Sequence, residues 1–344
     1  MARFIVTGGL GFIGSNLIEY LINLGHFVIN IDKVTYSSNF YNINSFKNNK
    51  NYKFFKIDIC NKKKISQILK NYKPVCIFNL AAETHVDRSI DSSDDFIKTN
   101  VLGVHSLLEI LIKNKRIKLI HVSTDEVYGN IKNNMRADEK TSYNPGNPYS
   151  ATKAASDHLI NSYINTYKLN AIITNCCNNY GPKQNPEKFI PKIIFNILNK
   201  KKLPLYGKGQ NTREWIYVLD HCKALYCIYQ RGKVGETYNI GSKQNLKNID
   251  LTKKIITLAK KEKYYNKKSK IIFIKDRPGH DFRYALNSQK IRKYIKWKPE
   301  VMFNKGLRST LEWYKTNKKF FKYIRNKNFI SRLGKNRWLK NVLF

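Results

Sequence analysis

The chain has 344 residues and carries 63 basic side chains against 24 acidic ones, a net charge of +39. That length can bury a sizeable core, in one large domain or two coupled lobes, and no apolar run approaches the roughly 20 residues of a membrane span. The charge points to an anionic partner such as nucleic acid, but Lys greatly outnumbers Arg and no nucleic-acid module is visible, so no specific nucleic-acid partner is expected.

Continuous apolar runs at Phe4–Thr7, Phe27–Asp32, Phe54–Asp58, Val75–Leu80, Leu119–Thr124 and Ala171–Asn175 read as strands covered on both faces. Helical patterns fall between them at Ile13–Leu24, Lys64–Asn71 and Phe96–Lys113, with another at Tyr149–Lys168. This alternation predicts an α/β protein built on a doubly wound parallel sheet. After about residue 176 the rhythm changes, punctuated by Pro182, Pro186, Pro191, Pro204, Gly207 and Gly209. Glu236–Ile240 reads as a further strand and Ile249–Lys261 as a helix, whereas Pro278-Gly279 makes Asp276–Asp281 a loop. The expected division is 1–176 for the nucleotide-binding domain with catalytic residues, and 177–325 for a smaller mixed α/β C-terminal substrate lobe. Some segments of that lobe return to the first domain, and 326–344 form a basic tail. The six cysteines suit neither a zinc site nor a disulfide framework, and no signal-peptide pattern opens the chain, so a reducing cytoplasm is expected and a metal is not.

Gly8, Gly11 and Gly14 follow the first strand and open the first helix. Gly8 permits a tight turn, Gly11 lets backbone amides approach a pyrophosphate, and Gly14 lets the helix pack on the sheet. Asp32 ends the second strand, where a carboxylate receives ribose hydroxyls and repels a 2′-phosphate, so NAD is favoured over NADP despite the neighbouring Lys33. Asp58-Ile59 and Leu80-Ala81-Ala82 follow the third and fourth strands, on the carboxyl edge where a dinucleotide lies. Phe12, Ile13, Thr35, Thr99 and Asn179 complete the predicted cofactor set.

Tyr149 and Lys153 are one helical turn apart and so share a face. A phenol beside an ammonium can lose its proton below its usual pKa of ~10, giving a base for a sugar hydroxyl. The strand Leu119–Ser123 delivers Thr124-Asp125-Glu126 to the same carboxyl edge of the sheet. Two adjacent carboxyls can have their pKa values driven apart, one acting as acid and one as base.

These residues are identified with the extended short-chain dehydrogenase/reductase superfamily and its Rossmann-type domain. The chain resembles the nucleoside-diphosphate-glucose 4,6-dehydratases through Ala81–Ile90, Ser123–Gly129, Asn175–Pro182, Tyr206–Gly209, Tyr238–Gly241 and Asp276–Asp281. The resemblance implies an NAD-dependent hydro-lyase acting on dTDP-glucose for deoxysugar nucleotide biosynthesis, with UDP-glucose the alternative nucleotide. Tyr149 would take the C4 hydroxyl proton, helped by Lys153, while hydride passes from C4 to NAD. Glu126 would then take the C5 proton, Asp125 protonate the leaving C6 hydroxyl, and Thr124 hold the C4 oxygen. Sugar epimerases need no such acid/base pair, and the related decarboxylases carry Ser where this chain has Asp125, so both are weaker readings. A nucleic-acid-binding protein that keeps the fold without turnover is weaker still.

The resemblance also implies substrate contacts from Thr84, Asn178, Lys188, Phe189, Pro204, Leu205, Tyr206, Arg213, Asn248, Arg277 and His280. His85 reads as structural, and Cys176-Cys177 as small buried hydrophobes. A homodimer through the helices Phe96–Lys113 and Tyr149–Lys168 is expected, with Leu102, Val104, Leu107, Leu108 and Leu111 as apolar positions; core packing is the alternative for that face.

Overall fold

A computed structural model describes residues 1–322. The predicted basic tail 326–344 therefore lies outside the described residues.

The first half alternates strands and helices: β1 (Arg3–Thr7), α1 (Phe12–Asn23), β2 (Phe27–Asp32), β3 (Tyr52–Lys56), α2 (Lys62–Tyr72), β4 (Cys76–Asn79) and α3 (Val86–Asp91). A short α4 (Asp94–Phe96) runs through a π-helical turn, Ile97–Leu102, into α5 (Gly103–Ile112). Then come β5 (Lys118–Thr124), α6 (Pro148–Tyr167) and β6 (Ala171–Cys176). The remainder is β7 (Asn178–Tyr180), α7 (Phe189–Leu198), β8 (Leu203–Tyr206), β9 (Thr212–Tyr217), α8 (Val218–Arg231), β10 (Thr237–Ile240), β11 (Asn245–Lys247), α9 (Asn248–Lys261), β12 (Ile271–Ile274) and α10 (Phe303–Thr316).

Seven strands pair in parallel in the order β10-β6-β5-β4-β1-β2-β3. The predicted α/β doubly wound sheet is thus present, with the strand order reversing beside β1 and opening a crevice at the carboxyl ends. The third strand runs two residues earlier than its apolar pattern, because pairing of Val28 to Asp32 with Tyr52 to Lys56 sets its register. Asp58 then falls past the strand, where its carboxylate accepts the Cys60 amide at 2.9 Å.

Both sheet faces are covered. One buries Phe4, Val6, Leu17, Ile18 and Phe78 with Leu225 of α8, and the other Ile5, Ile29 and Ile77 with helices α2, α5 and α6. Val104, Leu107, Leu108 and Leu111 belong to this second core, so they are not the apolar dimer surface that their spacing suggested; only Leu102, 53% exposed, faces outward. A separate core of Ile190, Ile194, Leu203, Leu251 and Leu311 binds α7, α9 and α10 to a three-stranded sheet, β11-β9-β7, and a two-stranded one, β12-β8. Among the described residues no helix is long and apolar enough to cross a membrane.

Candidate active site

The carboxyl ends of β1, β2, β4, β5 and β6 open onto one cavity of about 300 Å³. Its lower wall is the glycine turn. Gly8 has φ +70°, and a Cβ there would come within 2.9 Å of the Ala81 backbone; at Gly14 a Cβ would meet the Gly8 carbonyl at 2.4 Å. The turn therefore needs glycine for close backbone approach, and it leaves a cradle beneath which α1 begins. Phe12, Ile13, Asp32, Lys33, Thr35, Ile59, Leu80, Ala81, Ala82, Thr99 and Asn179 also line the cavity, but Asp58 does not. Asp32 accepts the Leu10 amide at 3.0 Å, the Val34 amide at 2.8 Å and the Ser38 hydroxyl at 2.8 Å, which fixes its carboxylate at the end of β2. A dinucleotide fits this wall: glycine amides toward the pyrophosphate, and an oriented carboxylate toward a ribose.

The opposite wall carries the catalytic candidates. β5 ends at Thr124, whose side chain caps a single 3-10 turn, Asp125–Tyr128, by accepting the Glu126 amide at 3.3 Å. That turn sets Asp125 and Glu126 at the strand's end. The helix α6 starts with a capping box between Asn147 and Ser150 and Pro148 in its first turn, so Tyr149 and Lys153 face the cavity one turn apart. Thr124, Asp125, Glu126, Tyr149 and Lys153 all line it.

Electrostatics separate these groups. Burial, reinforced by Glu126 and Glu214, raises the Asp125 carboxyl well above the usual carboxylate range. Its Oδ1 receives the Thr124 hydroxyl at 3.3 Å and its buried Oδ2 has no hydrogen-bond partner. Burial and then the Glu126 carboxylate push the Tyr149 phenol well above its ordinary value, with the Thr124 side chain opposing the shift. The expected lowering of Tyr149 by Lys153 is therefore not what the protein groups produce. The reason is where the ammonium goes: Lys153 Nζ donates to the Val122 carbonyl at 2.9 Å and lies 3.1 Å from His121 Nε2. Burial brings Lys153 down to about 8, against the pull of Asp157.

His121 escaped the sequence reading because it sits mid-strand, fully buried, without a motif of its own. Its tautomer can be derived. Thr7 Oγ1 accepts the amides of Leu80 and Ala81, each at 3.1 Å, so its hydrogen points to Asn79 Oδ1 at 2.7 Å. Asn79 then offers its amino group to His121 Nδ1 at 3.0 Å, leaving the imidazole proton on Nε2, where Ser156 Oγ at 3.4 Å and Asp157 Oδ1 at 3.6 Å are the acceptors and the Lys153 ammonium, itself a donor, is not.

The predicted substrate contacts divide into two groups. Thr84, Asn178, Lys188 and Phe189 line the cavity; Lys188 Nζ donates to the Thr84 carbonyl at 2.5 Å, and Asn178 Oδ1 is buried without a partner. Pro204, Leu205, Tyr206, Arg213, Asn248, Arg277 and His280 do not line it. Leu205 turns its side chain into the core of the second half, since strand alternation sends Pro204 and Tyr206 the other way. Tyr206 and Arg277 both bind Asp87, at 2.8 and 3.1 Å. Arg213 donates to the carbonyls of Thr212 and Asp281, each at 2.9 Å, and covers the Tyr284 ring at 4.2 Å. Burial pushes His280 down to about 3, and its Nδ1 is 2.5 Å from Asp276 Oδ1.

Several lining residues lacked a sequence signal: Tyr36, Glu187, Trp215 and Phe320. Tyr284, whose hydroxyl lies 3.4 Å from Glu126 Oε2 and 2.6 Å from Asp281 Oδ2, joins the loop at Asp281 to the catalytic turn. His85 is partly buried 3.9 Å from Glu187 and does not line the cavity, and Cys176 and Cys177 are buried.

A family model described as GDP-mannose 4,6 dehydratase matches residues 5–310. A probable dTDP-glucose 4,6-dehydratase of Sinorhizobium fredii is 43% identical over 96% of this chain and 98% of its own. Among solved structures, the dTDP-glucose 4,6-dehydratase of Bacillus anthracis in complex with NAD is 41% identical. It covers 94% of this chain and 100% of its own with a TM-score of 0.87. The Streptomyces venezuelae dTDP-glucose 4,6-dehydratase with NAD bound is 37% identical at the same coverage, with a TM-score of 0.89.

Proposed function

The chain belongs to the GDP-mannose 4,6-dehydratase family, and on that premise we propose that it is an NAD-dependent dTDP-glucose 4,6-dehydratase. It converts dTDP-glucose to the 4-keto-6-deoxy sugar nucleotide and water. The observation that carries this is the convergence of Thr124, Asp125, Glu126, Tyr149 and Lys153 on one cavity with the glycine turn, in a chain 43% identical to a curated relative of that name.

Gly8, Gly11, Gly14 and Asp32 would hold NAD, which when bound takes hydride from C4 of the sugar and returns it to C6. The chain's own residues manage the protons. Tyr149 would receive the proton of the C4 hydroxyl as a phenolate, a form that burial and Glu126 disfavour and that the positive charge of a bound NAD would favour, and Thr124 would hold the C4 oxygen. The resulting ketone acidifies C5, whose proton passes to Glu126 and back. Asp125 is suited to donate to the departing C6 hydroxyl because burial and its carboxylate neighbours favour its protonated form. Lys153 orients the tyrosine face of the site from its hydrogen bond to the Val122 carbonyl.

Thr84, Asn178, Lys188 and Phe189 would contact the nucleotide sugar within the cavity, and Arg213, Arg277 and His280 would engage its diphosphate at the mouth. The preference for thymine over uracil rests on the relatives' names, since one methyl is worth only ~1 kcal/mol in a pocket. We place the protein in the cytoplasm, where its free cysteines stay reduced. It would pair as a homodimer through α6 and the helix Phe96–Lys113, where Ile97 and Leu102 on the π turn ahead of α5 and Tyr167 at the end of α6 are exposed. The test is incubation of NAD-loaded protein with dTDP-glucose and UDP-glucose. Product lighter than substrate by one water, faster from dTDP-glucose, supports the reading; no product from either nucleotide sinks it.

A further inference from the structure

The proposed reaction balances its electrons only if one dinucleotide serves both hydride transfers. Hydride taken from C4 must be returned to C6 before the reduced cofactor leaves, since an early departure would strand a keto sugar and an empty site. Resting on that reading, we propose that the 3-10 turn Lys318–Lys322, which follows α10, is a strap. It closes the dinucleotide end of the cavity with the Phe320 ring and holds the reduced cofactor in place between the two transfers.

The neighbours of Phe320 show which end of the cavity it closes. Its side chain is 1% exposed and lines the cavity together with Asn39, Asn42 and Gln184. The Asn39 amide donates to the Leu10 carbonyl at 3.1 Å, and Asn42 Nδ2 donates to the same oxygen at 3.0 Å. Leu10 lies inside the glycine turn, and its own amide is the one that Asp32 accepts at 3.0 Å. One loop thus braces both the pyrophosphate cradle and the ribose carboxylate. The strap is tied to that loop twice: Asn39 Nδ2 donates to the Phe320 carbonyl at 3.4 Å, and the Tyr41 hydroxyl donates to Asn317 Oδ1 at 2.9 Å. A third tie reaches the second half of the chain. The Tyr314 hydroxyl on α10 donates to the Gln184 carbonyl, and Gln184 Nε2 donates to the Asn179 carbonyl at 2.9 Å. The turn therefore bridges two separate walls of the cavity. Opening it would pull the Phe320 ring from Tyr41, Trp313 and Tyr314, whose ring centres lie 6.2, 5.0 and 6.0 Å away. A carbon ring suits this task, because it excludes water without presenting a charge that competes for the phosphates.

Phe320→Leu tests the strap in the full chain, with Phe321→Leu as its control. Leucine keeps the turn apolar in both, but the Phe321 ring packs 4.9 Å from Phe195 and does not line the cavity. Protein loaded with NADH is mixed with excess NAD, and the decay of bound NADH fluorescence gives the release rate. Loss of one buried aromatic anchor should speed release about tenfold in Phe320→Leu and leave Phe321→Leu at the wild-type rate. Tyr41→Phe removes the hydroxyl tied to Asn317 and leaves the Phe320 ring intact; release should quicken about threefold. During turnover of dTDP-glucose without added NAD, Phe320→Leu should lose activity progressively and recover it when NAD is supplied. Release at the wild-type rate from both Phe320→Leu and Tyr41→Phe overturns the strap, as does equal acceleration by Phe320→Leu and Phe321→Leu. Absence of product from wild-type protein overturns the underlying functional reading instead, and is scored separately from the release rates.

Discussion

Asp125 and Glu126 are adjacent in the chain and yet stand in different surroundings. The first is buried at the strand end with one oxygen lacking a partner; the second is partly exposed and faces the Tyr284 hydroxyl. If Asp125 is the acid for the C6 hydroxyl, Asp125→Asn should slow dehydration by about 10²–10⁴-fold and oxidation at C4 much less. A 4-keto sugar nucleotide that still carries its C6 oxygen should then accumulate, visible by mass spectrometry; equal loss of both steps would contradict the assignment. The sign of the pH effect follows from the raised carboxyl: the active, protonated form is lost as pH rises through its pKa, so dehydration falls on the alkaline side. Asp157 offers a stability counterpart. It accepts Ser123 and Tyr143 hydroxyls at 2.6 and 3.2 Å, and burial raises it to about 6 against the pull of Lys153. Because its folded pKa exceeds the unfolded value, the stability it contributes is full below about pH 4 and lost as pH rises past about 6. Asp157→Asn should therefore gain about 3 kcal/mol on wild type between those limits, read from denaturant midpoints at each pH. A constant difference would show that the carboxyl does not titrate there.

At the scale of elements, the glycine turn and the Tyr149–Lys153 helix were legible because their chemistry is local: backbone approach in one case, helical spacing in the other. Gly14→Ala tests the first. Its new Cβ would strike the Gly8 carbonyl at 2.4 Å, backbone that cannot swing aside, so about 1–3 kcal/mol of stability should be lost and purified protein should retain little NAD. Gly25→Ala is the control: its φ of +81° disfavours any side chain, unlike helical Gly14, but a Cβ there meets nothing within 4 Å. It should cost about 1 kcal/mol and leave NAD content unchanged; equal nucleotide loss in both would detach the cradle from the steric argument. What periodicity could not show is equally physical. The apolar stripe of α5 looks alike whether it meets a sheet or a second copy, and Val104, Leu107, Leu108 and Leu111 meet the sheet. The π turn Ile97–Leu102 interrupts a helix whose hydrophobic pattern runs straight through. His121 and Tyr284 reach the site through tertiary contacts, which leave no trace in spacing.

At the scale of the molecule, the second half meets the sheet's edge through charge as well as apolar packing. Asp87, at the start of α3, is nearly buried and receives Arg277 from the loop Asp276–Asp281 at 3.1 Å and the Tyr206 hydroxyl from β8 at 2.8 Å. The parallel pairing of β12 with β8 brings these two partners to one carboxylate. On the same loop Asp281 binds Tyr284, which reaches Glu126, so the loop is tied to α3 at one end and, through Tyr284, to the Asp125–Tyr128 turn at the other. A single Asp87→Asn change should weaken the first. It leaves the Arg277 guanidinium buried beside a neutral amide, and losing one partner of a buried pair costs about 3–5 kcal/mol when the other stays in place. The loop can instead swing outward and hydrate the arginine, so the expected result is a smaller global loss, about 1–2 kcal/mol, with faster amide exchange confined to 276–281 and α3. KM for dTDP-glucose should rise more than kcat falls, because the proposed acids and bases, on the turn after β5 and on α6, stay in place. A kcat collapse with unchanged KM would mean that Asp87 supports the catalytic turn directly rather than holding the loop over the cavity.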